Sequence, residues 1–209
     1  MTNILYVTSS PRPDTSLSNR VGQRLVDALR ASHPGANITV RDLGRDPLPH
    51  IDQDFVIATR TPAGATTAAQ RMAVSRSDAL VAELARADIV VIAASMINFS
   101  VPSTLKTWID NIARPGRTFS YSEAGPKGLV TGKKVIIVAA TGGVYSDKRA
   151  LDFQIPYLRQ VLGFLGMTDV EVIDVEGTGL GPDAAETAVA SATRVINERY
   201  APVLEASAA

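Results

Sequence analysis

Short β-branched runs with almost no polar alternation are the strongest constraint this chain places on its fold. Residues 89–94 read Ile-Val-Val-Ile-Ala-Ala, residues 135–140 read Val-Ile-Ile-Val-Ala-Ala, and residues 4–7 read Ile-Leu-Tyr-Val. A strand with one wet face alternates apolar and polar residues, so a strand apolar throughout must be covered on both faces. A parallel sheet sandwiched between helices meets that requirement. Two weaker runs, 38–40 and 170–173, bring the strand candidates to five. Between them lie segments with one apolar stripe: Leu17, Val21, Leu25 and Leu29 recur every four residues, and Leu80, Leu84 and Ala87 do likewise. Residues 104–112, 153–165 and 184–200 complete the expected helices. This strict alternation predicts one doubly wound, three-layer α/β domain over residues 1–209, with strand order 2-1-3-4-5.

Composition removes several classes of function. The chain has 209 residues, 45% of them hydrophobic and 20% charged, which suits a single folded core. Lys plus Arg equals Asp plus Glu at 21 each, so there is no electrostatic footprint for nucleic acid or anionic lipid. There is no cysteine. Disulfides, thiolate metal sites and a thiol nucleophile are excluded, and the composition fits a reducing compartment. The N-terminus shows no basic region followed by a long apolar stretch, so a cytoplasmic protein is expected. The longest apolar runs are about a third of the roughly 20 residues a spanning helix needs, so no membrane association is expected. Asp52-Gln53-Asp54 reads as a helix start rather than a metal pair, and no metal site is expected.

Two connections exceed the minimal scheme. Residues 45–65 and 114–133 are rich in Gly and Pro, and connections of that length commonly form lids or dimer contacts. The tail from 201 to 209 reads as frayed.

Ligands in such a sheet bind outside the carboxyl ends of the strands, where the winding reverses. The relevant loops follow strands one, three and four. The first carries five hydroxyl residues in ten: Ser9, Ser10, Thr15, Ser16 and Ser18. Leading into a helix N-terminus, it suits a monophosphate, with Ser16 or Ser18 as a simple helix cap the competing reading. The absence of GxGxxG and of a Walker lysine disfavours pyrophosphates and triphosphates. The second loop presents Met96, Ile97, Asn98 and Phe99, which either plug the core or meet something flat and apolar. The third follows Ala140 with Thr141, Gly142 and Gly143, where glycines admit a ligand close to the backbone or form a plain turn. Together the loops outline a phosphate end, an apolar planar middle and a row of backbone donors, the shape of flavin mononucleotide (FMN).

At these residues the chain resembles the FMN-dependent NADH azoreductases, a flavodoxin-like family that also reduces quinones. The likeness runs from Ser9-Ser10 and Thr15-Ser16-Leu17-Ser18-Asn19 through Met96-Ile97-Asn98-Phe99, Gly116-Arg117-Thr118-Phe119 and Gly142-Gly143 to Glu176-Gly177. The resemblance implies that Ser10, Ser16, Leu17 and Ser18 hold the FMN phosphate. It implies that Met96, Ile97, Asn98 and Phe99 contact the isoalloxazine, with Ala140, Thr141, Gly142 and Gly143 along its polar edge. It also implies a homodimer with Phe119 and Phe164 as apolar walls of a substrate pocket. NADH or NADPH would donate, a quinone or azo compound would accept, and the two would visit one face in turn by a ping-pong mechanism. This chain has Ile97 where the family commonly has tyrosine, and Thr141 where it often has arginine. Those departures bear on acceptor range.

The cofactor does the hard chemistry in such an enzyme, so no catalytic acid or base is expected. His33 reads as complementing a helix end, and His50 as exposed in the long second connection. A flavodoxin-like electron carrier without its own acceptor site is the alternative, disfavoured by zero net charge. A serine hydrolase using Ser9 or Ser10 is disfavoured by the absence of a G-x-S-x-G elbow.

Overall fold

The computed structural model describes residues 1–60, 64–147 and 149–202, with the side chain of Arg149 outside the description. Most of the expected frayed tail therefore lies beyond the described residues. Five parallel strands form the central sheet: β1 (Asn3–Thr8), β2 (Asn37–Asp42), β3 (Ile89–Ser95), β6 (Lys134–Ala140) and β7 (Asp169–Val175). Their order is β2-β1-β3-β6-β7. That is the expected 2-1-3-4-5 once β4 (Phe119–Ser122) and β5 (Gly125–Gly128) are set apart as a separate antiparallel hairpin.

Strand alternation divides the core between the two faces of the sheet. Leu5, Val7, Val90, Ile92, Val135 and Ile137 point to one side, where α3 (Ala68–Arg86), α4 (Ser103–Ile112) and α5 (Ile155–Leu165) cover them. Ile4, Tyr6, Val91, Ala93, Ile136 and Val138 point to the other, under α1 (Leu17–Ser32) and α6 (Pro182–Tyr200). Fully buried Trp108 on α4 anchors the first cluster. Truncating such a side chain costs about 3–5 kcal/mol, because a cavity remains as well as lost transfer energy. β2 pairs with β1 alone and stays largely open, with Val40 57% exposed, which explains its weaker apolar pattern.

The long connection after β2 contains α2 (Gln53–Arg60), a helix expected only as a start at Asp52-Gln53-Asp54. Asp52 Oδ1 accepts from the Phe55 N–H at 2.8 Å, a helix-capping bond. The second long connection is built around buried Arg114. Its backbone N–H donates to Thr118 Oγ1 at 2.8 Å, and its guanidinium donates to Ser77 Oγ at 2.6 Å and pairs with Asp78 at 3.3 Å. Burial lowers the affinity of that guanidinium for its proton, and Asp78 opposes the shift.

Candidate functional site

The phosphate loop is held from below and capped at its far end. Ser9 is fully buried and its Oγ donates to the Ala93 carbonyl at 2.9 Å, while Thr104 Oγ1 donates to the Ser9 carbonyl at 2.6 Å. Ser9 is therefore a tether between β1, β3 and α4. Neither histidine is beside it: His33 Nδ1 lies 3.0 Å from the Leu29 carbonyl at the end of α1, and His50 sits near Thr107 of α4. The loop then runs through Ser10, whose Oγ accepts from the Arg12 N–H at 3.2 Å, to Ser16.

Ser16 is the N-cap of α1. Its Oγ accepts from the Asn19 N–H at 3.3 Å and lies 2.9 Å from Ser18 Oγ. The capping and phosphate readings of the sequence are thus compatible. The cap satisfies Asn19, while the N–H groups of Leu17 and Ser18 have no acceptor among the described residues. A helix start with spare donors and buried hydroxyls attracts an anion.

The loop after β3 forms a tight reversal. Ile97 and Ser100 exchange both backbone hydrogen bonds, at 2.9 and 3.0 Å, around Asn98 (φ 48°) and Phe99 (φ 68°). Two consecutive positive φ values define a type I′ turn, which asparagine tolerates and phenylalanine does not favour. The turn is fixed at its base by the Met96 N–H donating to the Ala140 carbonyl at 2.7 Å, and at its tip by Phe153 N–H donating to the Phe99 carbonyl at 3.1 Å. The Phe99 ring remains 53% exposed.

The loops after β6 and β7 pair with each other. Thr178 N–H donates to the Thr141 carbonyl at 3.0 Å, Gly179 N–H to Gly142 at 2.9 Å, and Gly177 N–H to Gly143 at 2.9 Å. A β-carbon on Gly179 would lie 3.1 Å from the Gly142 oxygen, so glycine is what permits this approach. The carbonyls are thereby consumed, and the N–H groups of Gly142 and Gly143 have no acceptor among the described residues.

These segments enclose one cleft of about 470 Å³, within the usual size range of small-molecule sites. Ser10, Ser16, Leu17 and Ser18 line one end, Met96 and Ile97 the middle, and Ala140 with Gly142 the far wall. Asn98 instead faces a neighbouring cavity of about 480 Å³ that Ile97 shares with Lys106 and Tyr157. Burial pushes the Tyr157 phenol up to about 12, helped by the negative charge of Asp110. Phe99, Thr141 and Gly143 do not line the cleft; Thr141 is buried in the loop pairing, with its Oγ1 donating to the Gly143 carbonyl at 2.8 Å. Thr15 of the hydroxyl-rich first loop lines it too, and Arg12, Thr178 and Gly179 do so without having been singled out from the sequence. The signal for the last two was the glycine-rich stretch after the fifth strand, which the winding rule does not pick out.

Phe119 and Phe164 are brought together, but not at this cleft. Their ring centroids are 4.6 Å apart, and Phe119 is only 6% exposed. The Val130 N–H donates to the Leu165 carbonyl at 2.9 Å, just before the starts of β6 and β7, so the pair sits at the N-terminal end of the strands, opposite the cleft. Tyr121 packs edge-on to Phe119 at 5.5 Å and is exposed. Among the described residues no cluster of His, Asp or Glu could hold a metal ion, and no helix is long and apolar enough to cross a membrane.

Comparison with known proteins agrees with this architecture. A protein from Mesorhizobium japonicum named FMN-dependent NADH:quinone oxidoreductase is 52% identical over 209 residues, covering 99% of this chain and 100% of its own. One from Pseudomonas fluorescens, named FMN-dependent NADH:quinone oxidoreductase 2, is 46% identical over 89% of this chain and 93% of its own. Among solved structures, an azoreductase from Bacillus anthracis superposes with a TM-score of 0.85 at 29% identity, covering 95% of this chain and all of its own. The pattern of the family described by its flavodoxin-like fold matches residues 2–200, and the chain belongs to that family.

Proposed function

We propose that this protein is an FMN-dependent NADH oxidoreductase that reduces quinones and azo compounds. The observation that carries the reading is the convergence, in one cleft, of unsatisfied N–H groups and hydroxyls at the start of α1, an apolar turn after β3, and the unsatisfied Gly142 N–H after β6. The curated relatives, named as quinone oxidoreductases, and the structural neighbour, named as an azoreductase, support the same reading.

The residues present suit FMN. Leu17 and Ser18 N–H, with the hydroxyls of Ser10, Ser16 and Ser18, would hold the phosphate. Met96 and Ile97 would lie against the ring, and the Gly142 N–H would donate to its polar edge. FMN, when bound, supplies hydride acceptance from NADH and electron delivery to the acceptor. The protein's part is to orient the ring, exclude water from one side and keep the other open to donor and acceptor in turn. No side chain needs to act as acid or base, which agrees with the remoteness of both histidines.

A homodimer completes the reading. Phe119 and Phe164 cannot wall the cleft of their own chain, so a second copy would have to bring this end over the flavin. The cysteine-free composition supports a cytoplasmic location.

The test is a visible spectrum of purified protein after incubation with FMN and removal of the excess, followed by anaerobic NADH. Retained yellow colour that NADH bleaches and a quinone restores is the expected result. Colour that NADH cannot bleach would indicate an electron carrier, and absence of colour would overturn the cofactor assignment.

A further inference from the structure

The first loop contains a cation that the hydroxyl-and-amide description of the phosphate site leaves out. Arg12 lines the same cleft as Ser10, Ser16 and Ser18. Its backbone is pinned on both sides: its N–H donates to Ser10 Oγ at 3.2 Å, and its carbonyl accepts from the Thr15 N–H at 3.3 Å. Pro11 and Pro13 flank it, which restricts its backbone further. The guanidinium is therefore carried on a preorganised base.

The neighbouring arginines are committed elsewhere. Arg20 pairs with Glu186 at 2.9 Å, Arg24 donates to Thr193 Oγ1, and Arg45 pairs with Asp14 and with Asp42. The guanidinium of Arg12 makes no hydrogen bond or ion pair with any described residue. Asp14 is the single acidic residue between positions 9 and 20, and its engagement by Arg45 keeps its charge from being answered by Arg12. The first turn of α1 also carries no acid. A phosphate monoester is close to doubly charged at neutral pH, and a planar guanidinium can meet two of its oxygens at once. Neutral hydroxyls and amides hydrogen-bond such a group without cancelling its charge.

We infer that Arg12 is the charge-compensating ligand of the cofactor phosphate, and that it makes this site select FMN over the unphosphorylated flavin, riboflavin. The inference rests on the reading of the cleft as a flavin site and assigns to it a discriminating residue. It requires that the discrimination reside in the phosphate term alone, because Arg12 lies at the end of the cleft away from Ala140 and Gly142.

Titration of flavin-stripped protein with FMN and with riboflavin, followed by flavin fluorescence, tests this directly. Arg12→Gln should raise the Kd for FMN about tenfold or more, where tenfold corresponds to about 1.4 kcal/mol, and leave the Kd for riboflavin unchanged. Arg12→Lys should recover part of the loss, since a point charge replaces the fork. Added salt should weaken FMN binding to the wild type more than to Arg12→Gln. Equal weakening of both flavins in Arg12→Gln would show that Arg12 only shapes the loop, and an unchanged Kd for FMN would remove it from the site. Either result overturns the inference while leaving the flavin assignment standing. A wild-type protein that retains neither flavin would overturn that assignment, and this inference with it. Thermal melts of both variants separate binding losses from loss of fold.

Discussion

A β-carbon placed on Gly128 would fall 2.2 Å from the amide nitrogen of Gly166. The hairpin thus rests backbone to backbone on the end of α5, where Gly166 is the left-handed C-cap with φ 106°. No side chain fits between them. Gly128→Ala should destabilise the protein by about 1–3 kcal/mol or more, through forced displacement of the hairpin. Urea unfolding measures the shift. FMN affinity should be unchanged, since the cleft lies at the other end of the strands; a parallel loss of FMN binding would show that the two ends are coupled.

Ser16 has two separable duties, and Ser16→Asp divides them. Aspartate caps a helix as well as serine does and complements the positive end of α1. It also places a negative charge where the phosphate would sit. The variant should melt within about 1 kcal/mol of wild type and lose FMN. Ser16→Ala together with Ser18→Ala should instead weaken FMN binding while costing about 1 kcal/mol of helix stability. Unchanged flavin affinity in the double variant would remove this loop from phosphate binding.

Phe99 is held in a backbone conformation that suits glycine. Phe99→Gly relieves strain of about 1–2 kcal/mol and returns a comparable entropy to the unfolded chain, so stability should change little. Phe99→Val keeps an apolar side chain but puts a β-branch at positive φ, and should destabilise by more than Phe99→Gly does. Calorimetric melts distinguish these outcomes. Because Phe99 does not line the cleft, FMN affinity should be retained in both variants.

Glu171 titrates against a fixed set of partners. Lys134 Nζ and Tyr200 Oη donate to its carboxylate, and Arg199 stands 3.8 Å away. Together they hold its carboxyl below the usual range. Because the folded value is the lower one, the stabilisation is present above the unfolded pKa, near 4.3, and is lost as pH falls through the folded value. Glu171→Gln should therefore be less stable than wild type at neutral pH, and the difference should close as pH falls below about 4. A difference that persists at low pH would mean that packing, not charge, is what Glu171 contributes.

Some elements were legible from the sequence because their physics is local. The runs at 89–94 and 135–140 announce strands buried on both faces, and the four-residue spacing of Leu17, Val21, Leu25 and Leu29 announces α1. Ser16 was recognisable as a cap because capping uses residue types at fixed offsets. β5 was not recognisable, since Gly-Pro-Lys-Gly carries no strand pattern and pairs only because β4 lies beside it. Phe119 was expected as a wall residue from the resemblance, whereas its burial against Phe164 depends on how the insertion folds back on α5. α5 itself begins at Ile155 rather than at 153, where Asp152 Oδ1 accepts from the Gln154 and Ile155 N–H groups and so caps the helix start. The contribution of Thr178 and Gly179 to the cleft is tertiary throughout, set by backbone bonds to Thr141 and Gly142, each 37 residues away in sequence.

That pairing ties two loops together by backbone bonds beyond the ends of β6 and β7 and makes the far side of the cleft as stiff as the sheet it stands on. A wall built this way tolerates little sequence variation, because a β-carbon on Gly179 would press against the Gly142 backbone at 3.1 Å. The turn at 97–100 carries no such obligation on its outward side chains. Laboratory evolution toward a bulkier or more polar acceptor should therefore accumulate changes at Ile97 and Phe99, while changes in the paired loops surface mainly among clones that no longer fold.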